Sequence, residues 1–235
     1  LHAQTACILV ETKKQNLLLD AGTGVCRLPK FLNKKPLTIL LTHFHLDHLI
    51  GLFYLPAVFK QKNLQKNLAV IGQRGVKKLI DRIFSHPFDI PFLEKFDVQF
   101  IELKEGQKLS LGAATIEAKK MRHTHPCIGY RISSGGKSIA YTGDTAYCRQ
   151  AIELARGADA LIHEANWLEK DFKKSVLHST ARQAALVAKK AGANKLFLFH
   201  YAGWYTEKEV KKLVGEARKE FKKTIAPRDE QAFSI

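Results

Sequence analysis

The stretch "THFHLDH", residues 42–48, places His43, His45, Asp47 and His48 within six positions and uses three of the chain's ten histidines. The residues before it, "LTILLT" at 37–42, form a short apolar run rich in β-branched side chains and read as a buried strand. The residues after it, "LIGLFYLPAVF", are apolar enough for a buried helix that runs up to Pro56. The four polar side chains therefore lie where the backbone leaves a strand and can aim several groups at one point. Imidazole nitrogen with carboxylate oxygen is a donor set suited to zinc, manganese or iron. His43 and His45 are two apart and can project together, whereas Asp47 and His48 are adjacent and diverge towards a neighbouring point. That spacing favours two metal centres over one. A polar loop that merely happens to be histidine-rich is the plain alternative, and four potential ligands at the end of a buried strand weigh against it.

HxHxDH after an apolar strand resembles the metallo-β-lactamase fold, a large hydrolase superfamily. The resemblance implies an αββα sandwich, an α/β (α+β) fold of four layers, and further ligands downstream. "MRHTHPCIGYRI" offers His123 or His125. The six-residue step from His123 to Gly129 is similar to H-x5-G-Y-R-I in relatives and favours His123, with His125 as runner-up. "SIAYTGDT" ends a strand at Asp144, similar to the family's bridging aspartate, and "KLFLFHYAG" ends one at His200. By this resemblance His43, His45 and His123 hold one divalent ion, Asp47, His48 and His200 hold another, and Asp144 lies between them. Zinc is the first expectation for both ions, with manganese or iron as alternatives. Two such ions about 3.5–4 Å apart stabilise both the attacking and the leaving oxygen. A zinc-bound water has a pKa near 7 rather than about 15.7, so a nucleophile exists at neutral pH.

Two more motifs narrow the branch. "IHEAN" contains His163 to Asn166 and resembles the HEAT motif of ribonuclease Z; "HST", His178 to Thr180, resembles a second motif of that family. The resemblance makes His178 the acid that protonates the leaving oxygen and Glu164 the group that orients it, so Asp47, His178 and Glu164 are the catalytic candidates. Thr180 and Gln183 form a capping box, and Gly192 ends the helix that follows. Ala181, Ala184, Val187, Ala188 and Ala191 supply its apolar face. His178 sits just ahead of that helix, where the dipole disfavours its charged form, while Glu164 pushes the other way. The plainer alternative is that His178 starts a helix and Glu164 caps a strand. Two departures stand out: Asn166 replaces the threonine of HEAT, and the interval from His123 to Asp144 is only a hairpin tipped by "SSGGKS". Ribonuclease Z usually inserts a long arm there to grip transfer RNA.

The chain has 235 residues, 46% of them hydrophobic, which is ample for a core. The expected ligands run from residue 43 to residue 200, so residues 1–235 read as a single domain. The chain begins at Leu1 and its only methionine is Met121. The natural N-terminus is therefore expected to be missing, and the first strand and glycine-rich turn that precede this part in relatives are either absent or simply not seen in this sequence. No apolar run reaches the ~18 residues of a membrane span, and no leader precedes the first strand, so a cytoplasmic protein is expected. Cys7, Cys26, Cys127 and Cys148 show no paired spacing and read as reduced packing residues.

"CILVE" and "NLLLDAG" look like a hairpin pair, with Asp20 to Gly24 as a loop that relatives place beside the active site. Residues 74–84 read as an amphipathic helix and 146–156 as helical, while "VQFIEL", "ATIEAKKM", "GYRISS" and "DALIHEA" read as strands.

Net charge is +16, with lysine pairs spread along the chain. Such a field attracts polyanions, although spread pairs are also common on solvated helix faces. The partner expected is a phosphodiester substrate, with RNA as one candidate, and a homodimer is compatible with these features. A small cyclic-nucleotide or cyclic-phosphate diesterase and a glyoxalase II-like thioester hydrolase remain open. So does a silent RNA-binding subunit, although the complete ligand set argues against it.

Overall fold

A computed structural model of the chain describes residues 4–62, 67–85 and 97–235. The chain is mixed α/β, with two sheets among the described residues and two compact units: residues 4–104 with 111–113, and residues 105–110 with 114–235. No helix among the described residues is long and apolar enough to cross a membrane.

The first unit is built on a five-stranded sheet in the order β1-β2-β3-β4-β5. The strands β1 (Ile8–Glu11) and β2 (Asn16–Leu19) form the expected antiparallel hairpin. Next come β3 (Leu37–Leu40), β4 (Asn67–Gly72) and β5 (Asp97–Glu102), each parallel to its neighbour from β2 onward. Strands β2 and β3 are wholly buried, and their sequences NLLL and LTIL are the near-continuous apolar runs that such strands require. Leu18, Ile39, Leu41, Leu52, Val70 and Ile80 lie in the core of this unit.

Pro56 begins a helix rather than ending one. Residues Ile50–Tyr54 are a 3-10 turn, and α1 (Leu55–Lys62) starts one residue before the proline. Proline is tolerated in a first helical turn because the amide hydrogen it lacks has no partner there. The second helix, α2 (Val76–Phe84), buries Val76, Ile80 and Phe84.

The second unit carries a seven-stranded sheet in the order β12-β11-β10-β9-β8-β7-β6. Its strands are β6 (Lys108–Leu111), β7 (Ala114–Met121), β8 (Cys127–Ser134), β9 (Lys137–Tyr141), β10 (Ala160–Glu164), β11 (Leu196–Phe199) and β12 (Thr224–Ile225). β7, β8 and β9 are antiparallel, and β9 to β12 are parallel. The β8–β9 connection is a two-residue turn with Gly135 and Gly136 at φ 59° and 76°. Both values are positive, as the twist of a tight hairpin demands.

Three helices belong to this unit: α3 (Arg149–Leu154), α4 (Ala181–Ala191) and α5 (Glu207–Glu220). The helix expected over 146–156 is shorter at both ends, running Arg149–Leu154. The Ala146 amide donates to Arg122 O and the Thr145 amide to Glu164 Oε1, so these residues are anchored elsewhere. The α4 capping box between Thr180 and Gln183 is present in both directions, and Gly192 closes the helix at φ 64°.

Candidate functional site

In the first unit the ligand-type side chains leave the carboxyl end of β3. Thr42 and His43 lie just past the strand, which ends at Leu40, and Leu46–His48 is a single 3-10 turn that brings His48 back to His43. The His43 and His48 rings lie 4.2 Å apart by centroid, and His43 Nε2 is 3.0 Å from His45 Nδ1. Asp47 is the outlying member, its carboxylate 3.5 Å from His48 Nε2.

Behind them stands Asp20, at the end of the neighbouring parallel strand β2. Its buried carboxylate accepts the Thr42 amide at 2.7 Å and the Thr42 hydroxyl at 2.8 Å. It also accepts the Nδ1–H of His48 at 2.8 Å. Thr42 has one hydroxyl hydrogen and gives it to Asp20, so its oxygen receives the Nδ1–H of His43 at 3.0 Å. His43 and His48 therefore both present Nε2 as a lone pair. A carboxylate holding the far ring nitrogen is the arrangement that orients metal-binding histidines. Asp20 itself adopts φ 56°, a left-handed conformation uncommon outside glycine. The expected Asp20–Gly24 loop does run beside the cluster. A Cβ on Gly22 would sit 2.6 Å from Asp47 O, which glycine alone avoids.

In the second unit Glu164 ends β10, and Asp144, Asn166 and His200 follow the carboxyl ends of the three parallel strands β9, β10 and β11. Crevices at such strand ends are the usual binding places of α/β sheets. Asp144, His178 and His200 each offer a ligand atom within 4.8 Å of one another. His200 Nε2 is 3.4 Å and His123 Nε2 3.9 Å from the buried Asp144 carboxylate. His123 Nδ1 donates to the backbone oxygen of Leu177 at 3.3 Å, which again makes Nε2 the lone-pair nitrogen. His125 is exposed, so the geometry favours His123 over it. His200 adopts φ 55°.

Glu164 is fully buried and saturated with donors. Its Oε1 accepts the Thr145 amide at 2.6 Å and His178 Nδ1–H at 2.9 Å, and its Oε2 accepts the Ser179 amide at 3.1 Å. Burial raises the Glu164 pKa against the lowering effect of His178. For His178, burial works downward, but the hydrogen bond and charge of Glu164 outweigh it and the net direction is up. The pair thus favours a protonated imidazole beside Asp144, from which His178 Nδ1 is 3.9 Å. Asn166, the departure from HEAT, lies with Nδ2 3.2 Å from His200 Nδ1.

Each expected residue thus stands in one of two clusters, one per unit. Asp20 was assigned no chemical role from the sequence; its signals were an aspartate directly after a buried strand and its place in the loop that relatives put beside the active site. His163 is buried with its pKa lowered to about 4 by burial, and its Nδ1–H goes to Glu164 O at 2.8 Å. Among the cysteines, Cys127 and Cys148 are buried, and burial pushes Cys7 up to about 12. Cys26 is exposed, against the expectation of a packing residue, because it sits on the outward side of the 3-10 turn Thr23–Lys30 whose inward residues are Val25 and Leu28.

Comparison with known proteins places these features in context. The beta-lactamase superfamily domain matches residues 15–201. A ribonuclease Z of Archaeoglobus fulgidus is 27% identical, over 97% of this chain and 91% of the relative. Among solved structures, the metallo-beta-lactamase fold protein YhfI of Bacillus subtilis superposes with a TM-score of 0.76 at 24% identity, covering 94% of this chain and 86% of that one. The short form of human tRNase Z gives a TM-score of 0.67 at 23% identity, with 84% and 86% covered.

Proposed function

The chain belongs to the beta-lactamase superfamily domain family, and on that basis we propose that it is a metal-dependent hydrolase of phosphodiester bonds, ribonuclease Z-like in its chemistry. The observation that carries this reading is the hydrogen-bonded Glu164–His178 pair beside Asp144 and His200. A ligand set alone serves many hydrolases; a buried carboxylate holding a protonatable histidine adds an acid for an alkoxide leaving group.

In this reading residues 1–235 work as one domain, with His43, His45 and His123 holding one ion and Asp47, His48 and His200 a second. Asp144 is shared. The donor chemistry fits, since His43, His48 and His123 each have Nδ1 engaged by an oxygen acceptor, which makes Nε2 the lone-pair nitrogen a cation would take. Zinc suits this nitrogen and oxygen set first, with manganese and iron as alternatives. Bound divalent cations supply a water-derived nucleophile at neutral pH and charge for the phosphoryl oxygens. The remaining work falls to the chain. Water oxygen forms a new bond to phosphorus, the bond to the leaving oxygen breaks, and His178 gives that oxygen a proton from Nε2. Glu164 fixes the ring through Nδ1, and solvent restores the proton.

The scale of the substrate is a separate matter. The β8–β9 hairpin occupies the interval where ribonuclease Z carries its arm. The alignment with the Archaeoglobus fulgidus enzyme extends over 283 positions, more than this chain's 235 residues, so the relative has internal segments that this chain lacks. Those facts favour generic phosphodiesterase activity, with RNA held less tightly than by arm-bearing enzymes. A small cyclic phosphodiester is the second reading that they support.

The test combines elemental analysis with hydrolysis of bis(p-nitrophenyl) phosphate. About two transition-metal ions per chain and measurable turnover are expected, and His48→Ala should lower both. Protein that neither retains metal when purified without chelator nor takes it up on addition would overturn the proposal.

A further inference from the structure

Trp204 is the most exposed large hydrophobic side chain among the described residues, at 69%. It lies on the loop between β11 and α5, four residues after His200. Its ring is 5.7 Å from that of the buried Trp167 and 6.1 Å from that of Tyr205, so it is held in place while most of its surface meets water. An indole left so exposed forgoes the gain of burial, as exposed apolar surface does where it meets a partner.

The segment beneath it runs from the Asp144–His178–His200 cluster to a basic groove. Asn166 touches His200, Trp167 supports Trp204, and the Leu168 amide donates to Tyr205 Oη at 3.1 Å. Tyr205 Oη in turn donates to Asp171 at 2.7 Å. Beyond these, Lys170, Lys212 and Lys219 ring a groove of about 390 Å³ with Leu168, Gly215 and Glu216. Lys170 and Lys212 have only distant acidic neighbours, Asp171 at 3.9 Å and Glu209 at 3.7 Å. Lys219 has no ion pair among the described residues. The one carboxylate lining the groove, Glu216, is engaged by the Glu169 amide at 3.1 Å.

An exposed aromatic face, linked through residues 167–170 and Tyr205 to a groove ringed by ammonium groups, has the elements by which proteins hold single-stranded nucleic acid: bases stack and phosphates follow the charge. We propose that Trp204 stacks on a base of a single-stranded RNA whose neighbouring phosphates lie along Lys170, Lys212 and Lys219. The proposal rests on the phosphodiester reading above and adds what that reading lacks, a holding device on the body of the protein. Net charge of +16 favours such a polyanion over an apolar protein partner.

The test is the affinity of the whole protein for a labelled single-stranded oligoribonucleotide, measured by fluorescence anisotropy without turnover. An abasic oligomer of equal length serves as the comparison. Trp204→Leu should weaken binding of the base-bearing oligomer by about 5- to 150-fold, the equivalent of about 1–3 kcal/mol per stacked base, and spare the abasic one. Trp204→Phe should recover most of the loss, since it keeps a π face. Lys212→Ala with Lys219→Ala should weaken both oligomers alike. Equal effects of Trp204→Leu on the two oligomers, no effect on either, or Phe behaving as Leu overturns the proposal, as does wild-type protein that binds neither. Hydrolysis of bis(p-nitrophenyl) phosphate reports separately on the phosphodiester reading, so the two can fail independently.

Discussion

Asp20 Oδ2 accepts the Nδ1–H of His48 at 2.8 Å, with both side chains wholly removed from solvent. Through Thr42 the same carboxylate also sets the tautomer of His43. One acid thus decides which nitrogen two histidines present.

Asp20→Asn keeps the volume but replaces an acceptor-only group with one that presents an NH2 to donors. Metal affinity should drop about 10- to 100-fold, the usual scale for losing such a supporting partner. Chelator competition measures it. Unchanged affinity would reduce Asp20 to a residue of the fold.

His178→Ala should leave metal content intact yet slow hydrolysis of esters with poor leaving groups by about 10²- to 10⁴-fold. Esters of p-nitrophenol need little protonation on departure and should lose far less. Parallel losses on both kinds of ester would assign His178 a purely structural part.

His163 makes stability depend on pH. Its pKa falls from 6.5 to about 4 on burial, so between those values the unfolded chain binds a proton that the folded one refuses. Stability is therefore complete above about pH 6.5 and declines as pH falls towards 4, by at most about 3 kcal/mol from this residue. Urea midpoints of the wild type and His163→Asn, compared across that range, should converge as pH drops. A constant gap would show that His163 does not titrate on unfolding.

Salt should separate the two scales of substrate. Each phosphate neutralised on a single strand contributes about 0.7 to the slope of log affinity against log salt. The KM for a precursor transfer RNA should rise steeply between low and moderate salt, while that for a small cyclic phosphate barely moves. RNA processing that stays tight at high salt would mean that the missing arm matters little.

Much of this was legible in the sequence because it is local. The capping box needs only Thr180 and Gln183, and the ligand pattern only the residues after an apolar run. Asp20 was not legible, since its partners Thr42 and His48 are 22 and 28 positions away and meet it only when β2 pairs with β3. The same holds for the late start of α3, which depends on Arg122 and Glu164 reaching residues 145 and 146. Pro56 misled for another reason: proline is compatible with both a helix start and a helix stop, and only the 3-10 turn ahead of it decides which.

The Gly135–Gly136 turn has a consequence for how this scaffold can be altered. The ends of β8 and β9 are pinned by paired residues, Ser134 opposite Lys137, so whatever joins them is free to vary. Each doubling of a flexible connection costs only about 0.6 kcal/mol in closure entropy. The tip is therefore a grafting port, where a lineage or an engineer could add a gripping appendage of tens of residues while the chemistry below remains undisturbed.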